Sequence, residues 1–460
     1  MPIESLHLEN MRCFSRRQGG RIGRITLLTG ENSSGKSTFL AARYLVSNLL
    51  HGDFLNFNSE PFFLGSFGDI ITTTSEMPTV QVGFTIEASG RLQANFNERT
   101  LNLIGDSDSG HILYKVLSKF KDIHGEPILE LLDVQIGACA VHFDLSLDQV
   151  PTVTLSYGSE TIDITSSASF PAKSKDISSA FKGLMFVLNT STLFALKLTD
   201  TESSESDFSQ DFSAALNAGL MRIYVELSGG LLHAYAPFRS IPKRTYDPFQ
   251  IRQDPQGRHV PMKLARLQRS DRPKWKELRH QIERYGDSSG LFQEIEVRNK
   301  FGQSTGDPFQ LMVRVKGSKV NIIDAGYGVS QILPILVDTL AEGDSGVFLL
   351  QQPEVHLHPS AQAELGSFFW DRVQESEQSF VIETHSDHLA DRIRMEIRDR
   401  KIDPSMLSFL YFENTVDGAF IREIRVSENG ELVDPPSSYR NFFLREELRL
   451  LGFSGENGED

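Results

Sequence analysis

The 460-residue sequence predicts an α/β protein with a mostly parallel sheet at its core and a mixed α+β lobe inserted into it. The first 50 residues follow the order strand, turn, strand, Gly-rich loop, helix, and residues 320–425 alternate buried apolar runs with helical patterns. This β–α–β–α order is typical of parallel strands with helices on the faces of a sheet. Residues 51–230 are mixed and include runs that alternate apolar and polar side chains, as antiparallel strands do.

The two α/β segments lie far apart in the chain, which predicts a split core. We expect residues 1–85 and 315–430 to build this core, residues 86–314 to form the inserted lobe, and residues 431–460 to form a C-terminal tail. Within the lobe, residues 199–211 are acidic and Ser-rich, which predicts an exposed, flexible segment.

Local patterns predict the individual elements. Period-two alternation predicts strands in SLHLEN, TVQVGFTIEA and VHFDLSLD, and short apolar runs predict buried strands in RITLLTG, GVFLLQQ and SFVIETHS. Apolar residues at helical spacing predict helices in KSTFLAARYLVSNLL, GVSQILPILVDTL, PSAQAELGSFFWDRVQ and DHLADRIRMEIRDR.

Composition is that of an ordinary globular protein, with 39% hydrophobic and 23% charged residues. The two cysteines, Cys13 and Cys139, form no CxxC pair, which argues against a disulfide framework or a zinc site and favours a reducing compartment. Because no apolar run approaches ~18 residues and the N-terminus lacks a signal-peptide pattern, we expect no membrane span and a cytoplasmic location. The net charge of −15 argues against a nucleic-acid binder that uses its whole surface.

The strongest motif is GENSSGKST, residues 30–38, here called the phosphate loop. It fits G-x-x-x-x-G-K-[ST] and lies between a predicted strand and a predicted helix, the context that this pattern requires. Backbone N–H groups of such a loop bind phosphate oxygens; Lys36 would reach the β- and γ-phosphates, and the Ser37 hydroxyl would ligate Mg²⁺. The candidate nucleotide-binding residues are Gly30, Asn32, Ser33, Gly35, Lys36, Ser37 and Thr38.

A second Gly-rich turn, in DAGYGVSQILPILV (residues 324–337), opens a predicted helix with Ser330 near its start. Such a turn is another anion-binding concavity. One chain rarely needs two phosphate cradles for one nucleotide, so we expect Ser330 to cap the γ-phosphate held by a second copy of the chain. The alternative is an ordinary helix cap in which Ser330 satisfies backbone donors.

The stretch VFLLQQPEVHLHP, residues 347–359, places Gln351 and Gln352 where a carboxylate pair usually serves Mg²⁺ and the attacking water. The Gln351 carbonyl can still ligate Mg²⁺, although more weakly than a carboxylate, and a glutamine cannot act as a base. Glu354 is the nearest carboxylate to the strand end and is our candidate for orienting or activating the water. The alternative is that Glu354 caps the following turn.

A neighbouring buried strand, in FVIETHSDHL, is followed by His385, which we expect to hydrogen-bond the γ-phosphate and sense its presence. Glu383 on the same strand is a second carboxylate that could assist the metal or the water. His356, His358 and His388 lie near these strand ends, but their spacing matches no zinc pattern.

These four motifs, in this order, resemble the ABC-type ATPase heads of SMC, Rad50 and RecF proteins. They are more similar to the compact prokaryotic AAA-type ATPases related to the ATPase half of OLD proteins. The resemblance covers roughly residues 1–50 and 320–425 and identifies GYGVSQ, residues 326–331, as the signature turn. YAPFRSIPKRTYD (residues 235–247) and DPQGRHVP (residues 254–261) also look like segments of this group.

The resemblance implies an ATP sandwich. Two chains would bind two ATP molecules with Mg²⁺ between them, each phosphate loop facing the signature turn of the other copy, in a homodimer or higher oligomer. ATP binding would close the dimer and hydrolysis would open it. ABC heads usually carry Asp-Glu where Gln351 and Gln352 stand, but many compact members carry Gln-Gln-Pro-Glu, so slow turnover is implied. A slow ATPase suits a switch better than a motor.

Features of the larger relatives are missing from the sequence. No long heptad segment separates the two halves, so we expect no coiled-coil arm. About 60 residues follow the helix after His385, which is too few for a Toprim nuclease domain. The resemblance therefore implies an effector protein in trans, such as a Toprim-like nuclease, in anti-phage defence.

A basic segment, residues 239–284, has 13 Lys/Arg and 5 Asp/Glu, a net charge of +8 that leaves −23 for the rest of the chain. Such asymmetry can mark a DNA-binding face. It includes a predicted basic helix, RPKWKELRHQIERYG, with Trp275 available for stacking or packing. The alternative is that these cations pair with acidic residues of the chain or contact another subunit.

Three functions stay open at this stage. The leading hypothesis is a slow ATPase that dimerises around ATP and gates a partner effector. A RecF-like DNA-repair ATPase would bind DNA through the basic segment, and a non-hydrolysing, ATP-dependent scaffold would only assemble a complex. A GTPase is disfavoured because no NKxD motif is present, and a nucleotide kinase because the signature turn would have no purpose.

Overall fold

The computed structural model describes residues 3–48, 57–72, 79–89, 111–137, 139–144, 152–157, 160–163, 231–247, 252–299, 307–440 and 448–451. The predicted flexible segment, residues 199–211, lies outside the described residues. The strands are β1 (Ser5–Glu9), β2 (Gln18–Arg21), β3 (Ile25–Gly30), β4 (Asn58–Ser59), β5 (Phe62–Phe63), β6 (Thr79–Ser89), β7 (His111–Ile123), β8 (Glu126–Ile136), β9 (Cys139–Asp144), β10 (Thr152–Tyr157), β11 (Glu160–Asp163), β12 (Leu232–Tyr235), β13 (Glu294–Asn299), β14 (Phe309–Val315), β15 (Ser318–Asn321), β16 (Ser345–Gln351), β17 (Glu377–Glu383), β18 (Leu407–Thr415), β19 (Gly418–Val426) and β20 (Leu432–Val433). The helices are α1 (Lys36–Asn48), α2 (Phe67–Ile70), α3 (Val260–Ser270), α4 (Arg272–Ser288), α5 (Tyr327–Ala341), α6 (Pro359–Glu375) and α7 (Asp387–Arg400).

A seven-stranded sheet in the order β12, β16, β17, β3, β18, β19, β20 carries the predicted motifs. The first five strands are parallel to one another, and β19 pairs antiparallel with both β18 and β20, which confirms the prediction of a mostly parallel sheet. The phosphate loop, the loop after β16 and the loop after β17 therefore all leave the same edge of the sheet. Ligands of open α/β sheets bind at this carboxyl edge.

Successive side chains of β16 enter two different cores. Val347 and Leu349 pack in a core shared with α1 and the strands of a second sheet. Phe348 and Leu350 point the other way, into a core formed with helices α3 to α7. Because both faces of β16 are covered, this strand is a continuous apolar run rather than an alternating one.

The second sheet is antiparallel and has eight strands in the order β11, β10, β9, β8, β7, β6, β1, β2. Leu6 and Leu8 of β1 are buried against the first core, and the alternate residues Ser5, His7 and Glu9 are half-buried, as the alternating pattern predicts. The predicted boundary after residue 85 falls inside β6, and β12, which lies in the predicted lobe, pairs with β16. The division into core and lobe stays a prediction.

Helices α3 and α4 of the basic segment pack against the second core, together with a three-stranded sheet of β13, β14 and β15. The predicted basic helix is confirmed as α4. Trp275 in this helix is buried among apolar side chains, so it packs and does not present its ring to a base. Among the described residues, no helix has the length and apolar character needed to cross a membrane.

A buried polar cluster fixes α3 to the helix that follows the signature turn. Asp338 on α5 is fully buried; His259 Nε2 and Lys263 Nζ each lie 2.8 Å from its carboxylate oxygens, and Tyr235 donates to it. Burial alone would raise the pKa of Asp338, but the hydrogen bonds and charges of His259 and Lys263 hold it well below its usual value. The ionised carboxylate is therefore the centre of the cluster.

Replacing Asp338 by asparagine is expected to lower the free energy of unfolding by about 3 kcal/mol, because Lys263 would lose its fully buried counter-charge and keep only the partly exposed Glu342. The carboxylate stabilises the fold above the ordinary pKa of an aspartate, and this contribution is lost as pH falls through the depressed pKa. Urea denaturation of Asp338→Asn beside Asp344→Asn, an exposed control, measures the effect. Equal midpoints for the two variants would contradict the assigned role.

Candidate functional site

The phosphate loop connects β3 to α1 at the carboxyl edge of the sheet. The Glu31 N–H donates to the Phe412 carbonyl at 3.1 Å, and the Ser34 hydroxyl donates to the Glu31 carbonyl at 2.7 Å. Gly35 has φ +96°, and a Cβ at this position would lie 2.4 Å from Phe14 Cζ. Glycine is therefore required here both by conformation and by space.

Lys36 opens α1 and its side chain folds back over the loop. Its Nζ donates to the Gly30 carbonyl at 3.1 Å and to the Glu31 carbonyl, and the residue is only 4% exposed. Burial lowers the pKa of Lys36, whereas the charges of Glu383 and Glu31 raise it. The ammonium group is thus held at the loop by weak carbonyl acceptors that a phosphate can replace.

The next residue, Ser37, meets a carboxylate from a different strand. Its hydroxyl donates to Glu383 Oε1 at 2.8 Å, and Glu383 is the last residue of β17. Gln351, the last residue of β16, stands directly opposite Glu383 in the parallel ladder. The structure therefore brings together the predicted metal ligands, Ser37 and Gln351, on either side of Glu383.

Glu383 has the environment of a cation ligand. Burial raises its pKa, while the Ser37 hydroxyl, the Lys36 charge and the Gln351 side chain lower it. Its second oxygen, Oε2, is buried and has no hydrogen-bond partner among the described residues. An unpartnered buried carboxylate oxygen is costly unless a ligand satisfies it.

Glu354 lies in the bend that follows β16. Its Oε1 accepts the backbone N–H of His385 at 2.8 Å, so the side chain reaches across to the loop after β17. Its Oε2 is buried and has no hydrogen-bond partner in the described part of the chain. Burial raises the pKa of Glu354, while hydrogen bonds from the His385 N–H, its own backbone and the Thr384 side chain lower it, as does the charge of Arg239 to a smaller extent. This second carboxylate stands beside the first at the same sheet edge.

The His385 side chain is exposed at this edge. Partial burial lowers the pKa of His385, and the nearby charge of Lys36 lowers it further, so the environment favours the neutral imidazole. The other histidines have different surroundings: His358 Nδ1 accepts the N–H of Ser360 at the start of α6, and the His356 ring lies 5.7 Å from the Tyr327 ring. Within the ranges described, no three His, Cys, Asp or Glu side chains form a metal-binding group.

The signature turn leads into α5, with Gly326 at φ +86° as the residue before the helix. The Ser330 hydroxyl donates to the Tyr327 carbonyl at 2.9 Å and lines a cavity of about 530 Å³. Gly326, not Ser330, occupies the N-cap position. The structure places Ser330 on a different element from the phosphate loop, and its role toward a second copy stays a prediction.

The sequence places Arg239 at the start of the basic segment and predicts no role for it at the nucleotide site. Arg239 follows β12, the strand beside β16, and its Nη2 donates to the Gln351 carbonyl at 3.3 Å. No local signal identified this role, because the four-residue β12 has too little pattern to be placed beside β16. Arg239 enters the site because parallel strands end at a common edge of the sheet.

The carboxyl edge thus combines a phosphate loop, two buried carboxylates and a signature turn on a largely parallel sheet. A phosphate loop in this strand–loop–helix setting defines a P-loop nucleotide-binding protein. The profile of the AAA ATPase domain family matches residues 1–390, and the chain belongs to this family. It is an ATPase by this membership.

Solved structures similar to the chain include an SMC head domain from Thermotoga maritima, which is 10% identical at a TM-score of 0.38 and covers 93% of this chain and 100% of its own. A second is an SmcHead bound to the C-winged helix domain of ScpA, which is 10% identical at a TM-score of 0.40; the match covers 93% of this chain and 99% of that one. A third is an Smc head domain with an extended coiled coil bound to the C-terminal domain of ScpA, from Pyrococcus furiosus, which is 9% identical at a TM-score of 0.40; the match covers 98% of this chain and 100% of that one. No curated protein matches the chain.

Proposed function

We propose that this ATPase binds ATP with Mg²⁺ between two copies of the chain and hydrolyses it slowly. The observation that carries the proposal is the hydrogen bond from Ser37 to Glu383 in a loop whose lysine is already folded over it. Lys36 would exchange its two carbonyl acceptors for the β- and γ-phosphates. The backbone of the phosphate loop would hold the remaining phosphate oxygens.

The residues present fit a magnesium ion. Mg²⁺ prefers oxygen ligands, and two are present: the Ser37 hydroxyl and Glu383 Oε2, which has no hydrogen-bond partner among the described residues. The Gln351 side chain, opposite Glu383 in the ladder, is a further oxygen ligand. The ion would neutralise charge on the β- and γ-phosphates. Glu383 would thereby replace the carboxylate that is missing from β16.

Glu354 and His385 are assigned to the hydrolysis step. Glu354 would orient the attacking water and accept its proton at Oε2, while Oε1 stays bonded to the His385 N–H. A neutral His385 ring nitrogen can donate to a γ-phosphate oxygen and so report whether the phosphate is present. Gln351 would bind the metal more weakly than a carboxylate, and neither Gln351 nor Gln352 can act as a base, which is the reason to expect slow turnover.

A second copy of the chain would complete each ATP site through Ser330. The surface around the signature turn supports contact with another protein, because Phe238, Ile241 and Tyr327 are large apolar side chains and are all exposed. By the resemblance described above, the closed dimer would gate a cytoplasmic effector in trans, such as a Toprim-like nuclease, in anti-phage defence.

ATP turnover by the purified chain with Mg²⁺, recorded together with its mass with and without ATP, tests the proposal. Slow turnover with ATP-dependent doubling of the mass supports a hydrolysing dimer. ATP-dependent assembly with no turnover supports the alternative of a scaffold. Turnover by a monomer whose mass ATP does not change would contradict the sandwich.

Replacing Glu383 by glutamine is expected to raise the Mg²⁺ concentration for half-maximal turnover at least tenfold, since even outer-shell changes at metal sites cost about that much. The measurement is a Mg²⁺ titration of turnover and of ATP binding. Glu377→Gln, at the opposite end of β17, is the matched control and should behave as wild type. An unchanged Mg²⁺ requirement in Glu383→Gln would leave Gln351 and Ser37 as the metal ligands.

DNA binding by the basic segment is the second candidate function. In the described part of the chain, at least five of its 13 cations form ion pairs, including Arg244–Asp324, Arg258–Asp254, Lys263–Asp338, Arg279–Glu283 and Arg284–Asp371. Arg272, Lys274 and Lys276 are exposed at the start of α4 and are the cations best placed for a phosphate backbone. DNA affinity that falls with salt and with reversal of these three charges would support this function.

A further inference from the structure

Arg239 is a buried cation with unused donors. It is 4% exposed; its Nη2 bonds the Gln351 carbonyl, while Nε and Nη1 have no hydrogen-bond partner among the residues that the structure describes. Burial lowers the pKa of Arg239 to about 10, and the charge of Glu354 opposes this shift, so the guanidinium stays charged at neutral pH. A buried charge with free donors is unfavourable unless an acceptor is reached in another state.

The Glu354 carboxylate is the acceptor that Arg239 could reach. Glu354 Oε2 is also buried and unpartnered in the described part of the chain, and the charge of Arg239 lowers the pKa of that carboxyl. The two residues follow β12 and β16, which are neighbours in the parallel sheet. A guanidinium fork and a carboxylate form strong, directional hydrogen bonds when brought into line.

The backbone of Arg239 is tied to the signature turn. The Arg239 N–H donates to Gln331 Oε1 at 3.1 Å, and Gln331 Nε2 donates back to the Arg239 carbonyl at 3.5 Å. Gln331 is buried and directly follows Ser330 in α5. A shift of the first turn of α5 would therefore carry Arg239 with it.

We propose that Arg239 is a positioning residue that orients Glu354 for hydrolysis and links it to the signature turn through Gln331. The inference rests on the proposed ATPase function and on the role assigned to Glu354 there. When the signature turn engages the nucleotide of the other copy, Gln331 moves Arg239, and Arg239 aligns Glu354 with the water at its own nucleotide. The two ATP sites of a dimer are coupled by this path.

Steady-state and single-turnover kinetics of Arg239→Gln test the proposal. We expect kcat to fall roughly tenfold to hundredfold, because a misplaced catalytic group costs about that much, with KM and the ATP-dependent dimer mass unchanged. Arg239→Lys should have a kcat between those of Arg239→Gln and wild type, since lysine keeps the positive charge but lacks the paired N–H donors of the guanidinium group. Arg24→Gln, a partly buried arginine at the opposite edge of the sheet, should keep the wild-type kcat.

A double variant separates positioning from general damage. In a Glu354→Gln background, Arg239→Gln should change the residual single-turnover rate less than twofold, because a residue that acts through Glu354 has nothing left to position. Gln331→Leu removes the hydrogen bonds to the Arg239 backbone, leaves the guanidinium in place and should lower kcat in the same way. This variant tests the positioning role even if Arg239→Gln folds poorly.

Several outcomes would overturn the proposal. A wild-type kcat in Arg239→Gln, or a parallel loss of ATP binding in that variant, would reject the positioning role while the ATPase function stands. Additive losses in the double variant would reject it as well. Absence of turnover by the wild-type chain is a different result: it would reject the proposed hydrolysis itself, and with it any role of Arg239 in that step.

Discussion

Lys36→Ala is expected to reduce ATP affinity at least a hundredfold, to the point where no ATP-dependent dimer forms. The Lys36 ammonium is buried at the phosphate loop on two carbonyl oxygens, so it is already aimed at the place where the phosphates enter. Each hydrogen bond from a charged group contributes about 1.5–3 kcal/mol, and a hundredfold loss corresponds to about 2.7 kcal/mol. Alanine removes both the charge and the donors.

Nucleotide-induced stabilisation measures this loss directly. At an ATP concentration of 100 Kd, wild type should gain about 2.7 kcal/mol in its free energy of unfolding, and Lys36→Ala at that concentration should gain almost none. Without ATP the variant should unfold with wild-type stability or slightly above it, because a buried ammonium is removed. Lys276→Ala, an exposed lysine on α4, is the control. Full ATP stabilisation of Lys36→Ala would mean that the loop backbone alone binds the phosphates.

Glu354→Gln should lower turnover by about 10²- to 10⁴-fold and leave ATP binding intact. The substitution preserves shape, and the amide oxygen can still accept the His385 N–H, so the two strand ends stay connected. The amide cannot take a proton from water. ATP would then remain bound, and the chain should accumulate as an ATP-bound dimer that is visible by mass.

The comparison of turnover and mass for wild type, Glu354→Gln and Glu375→Gln, an exposed control on α6, distinguishes the hypotheses. Slow turnover by wild type, together with an ATP-bound dimer that accumulates in Glu354→Gln, would identify Glu354 as the catalytic carboxylate. It would also mean that hydrolysis is compatible with glutamines at positions 351 and 352. Equal turnover in wild type and Glu354→Gln would reject that role. ATP-dependent assembly of wild type with no turnover would instead identify a scaffold, whose activity belongs to a partner chain.

Local sequence patterns were sufficient for the phosphate loop and its surroundings. The loop between β3 and α1 follows from GENSSGKST because its glycines, lysine and serine act within nine consecutive residues. The parallel strands were predictable for a related reason: β16 and β17 are covered on both faces, and each has an unbroken apolar run at its centre, VFLL in β16 and FVI in β17. The position of β12 beside β16 was not predictable, since a four-residue strand has too little pattern to identify its neighbour.

The sequence by itself determined which residues have the chemistry to bind a nucleotide and in which local element each lies. Only the tertiary structure decided which of them meet. Ser37 and Glu383 are 346 positions apart, and Arg239 reaches Gln351 across 112 positions. The physical reason is that parallel strands deliver their carboxyl ends to one edge, whatever the length of chain between them. The partners of Ser37, Gln351 and Glu354 therefore depend on strand order, which no local pattern encodes.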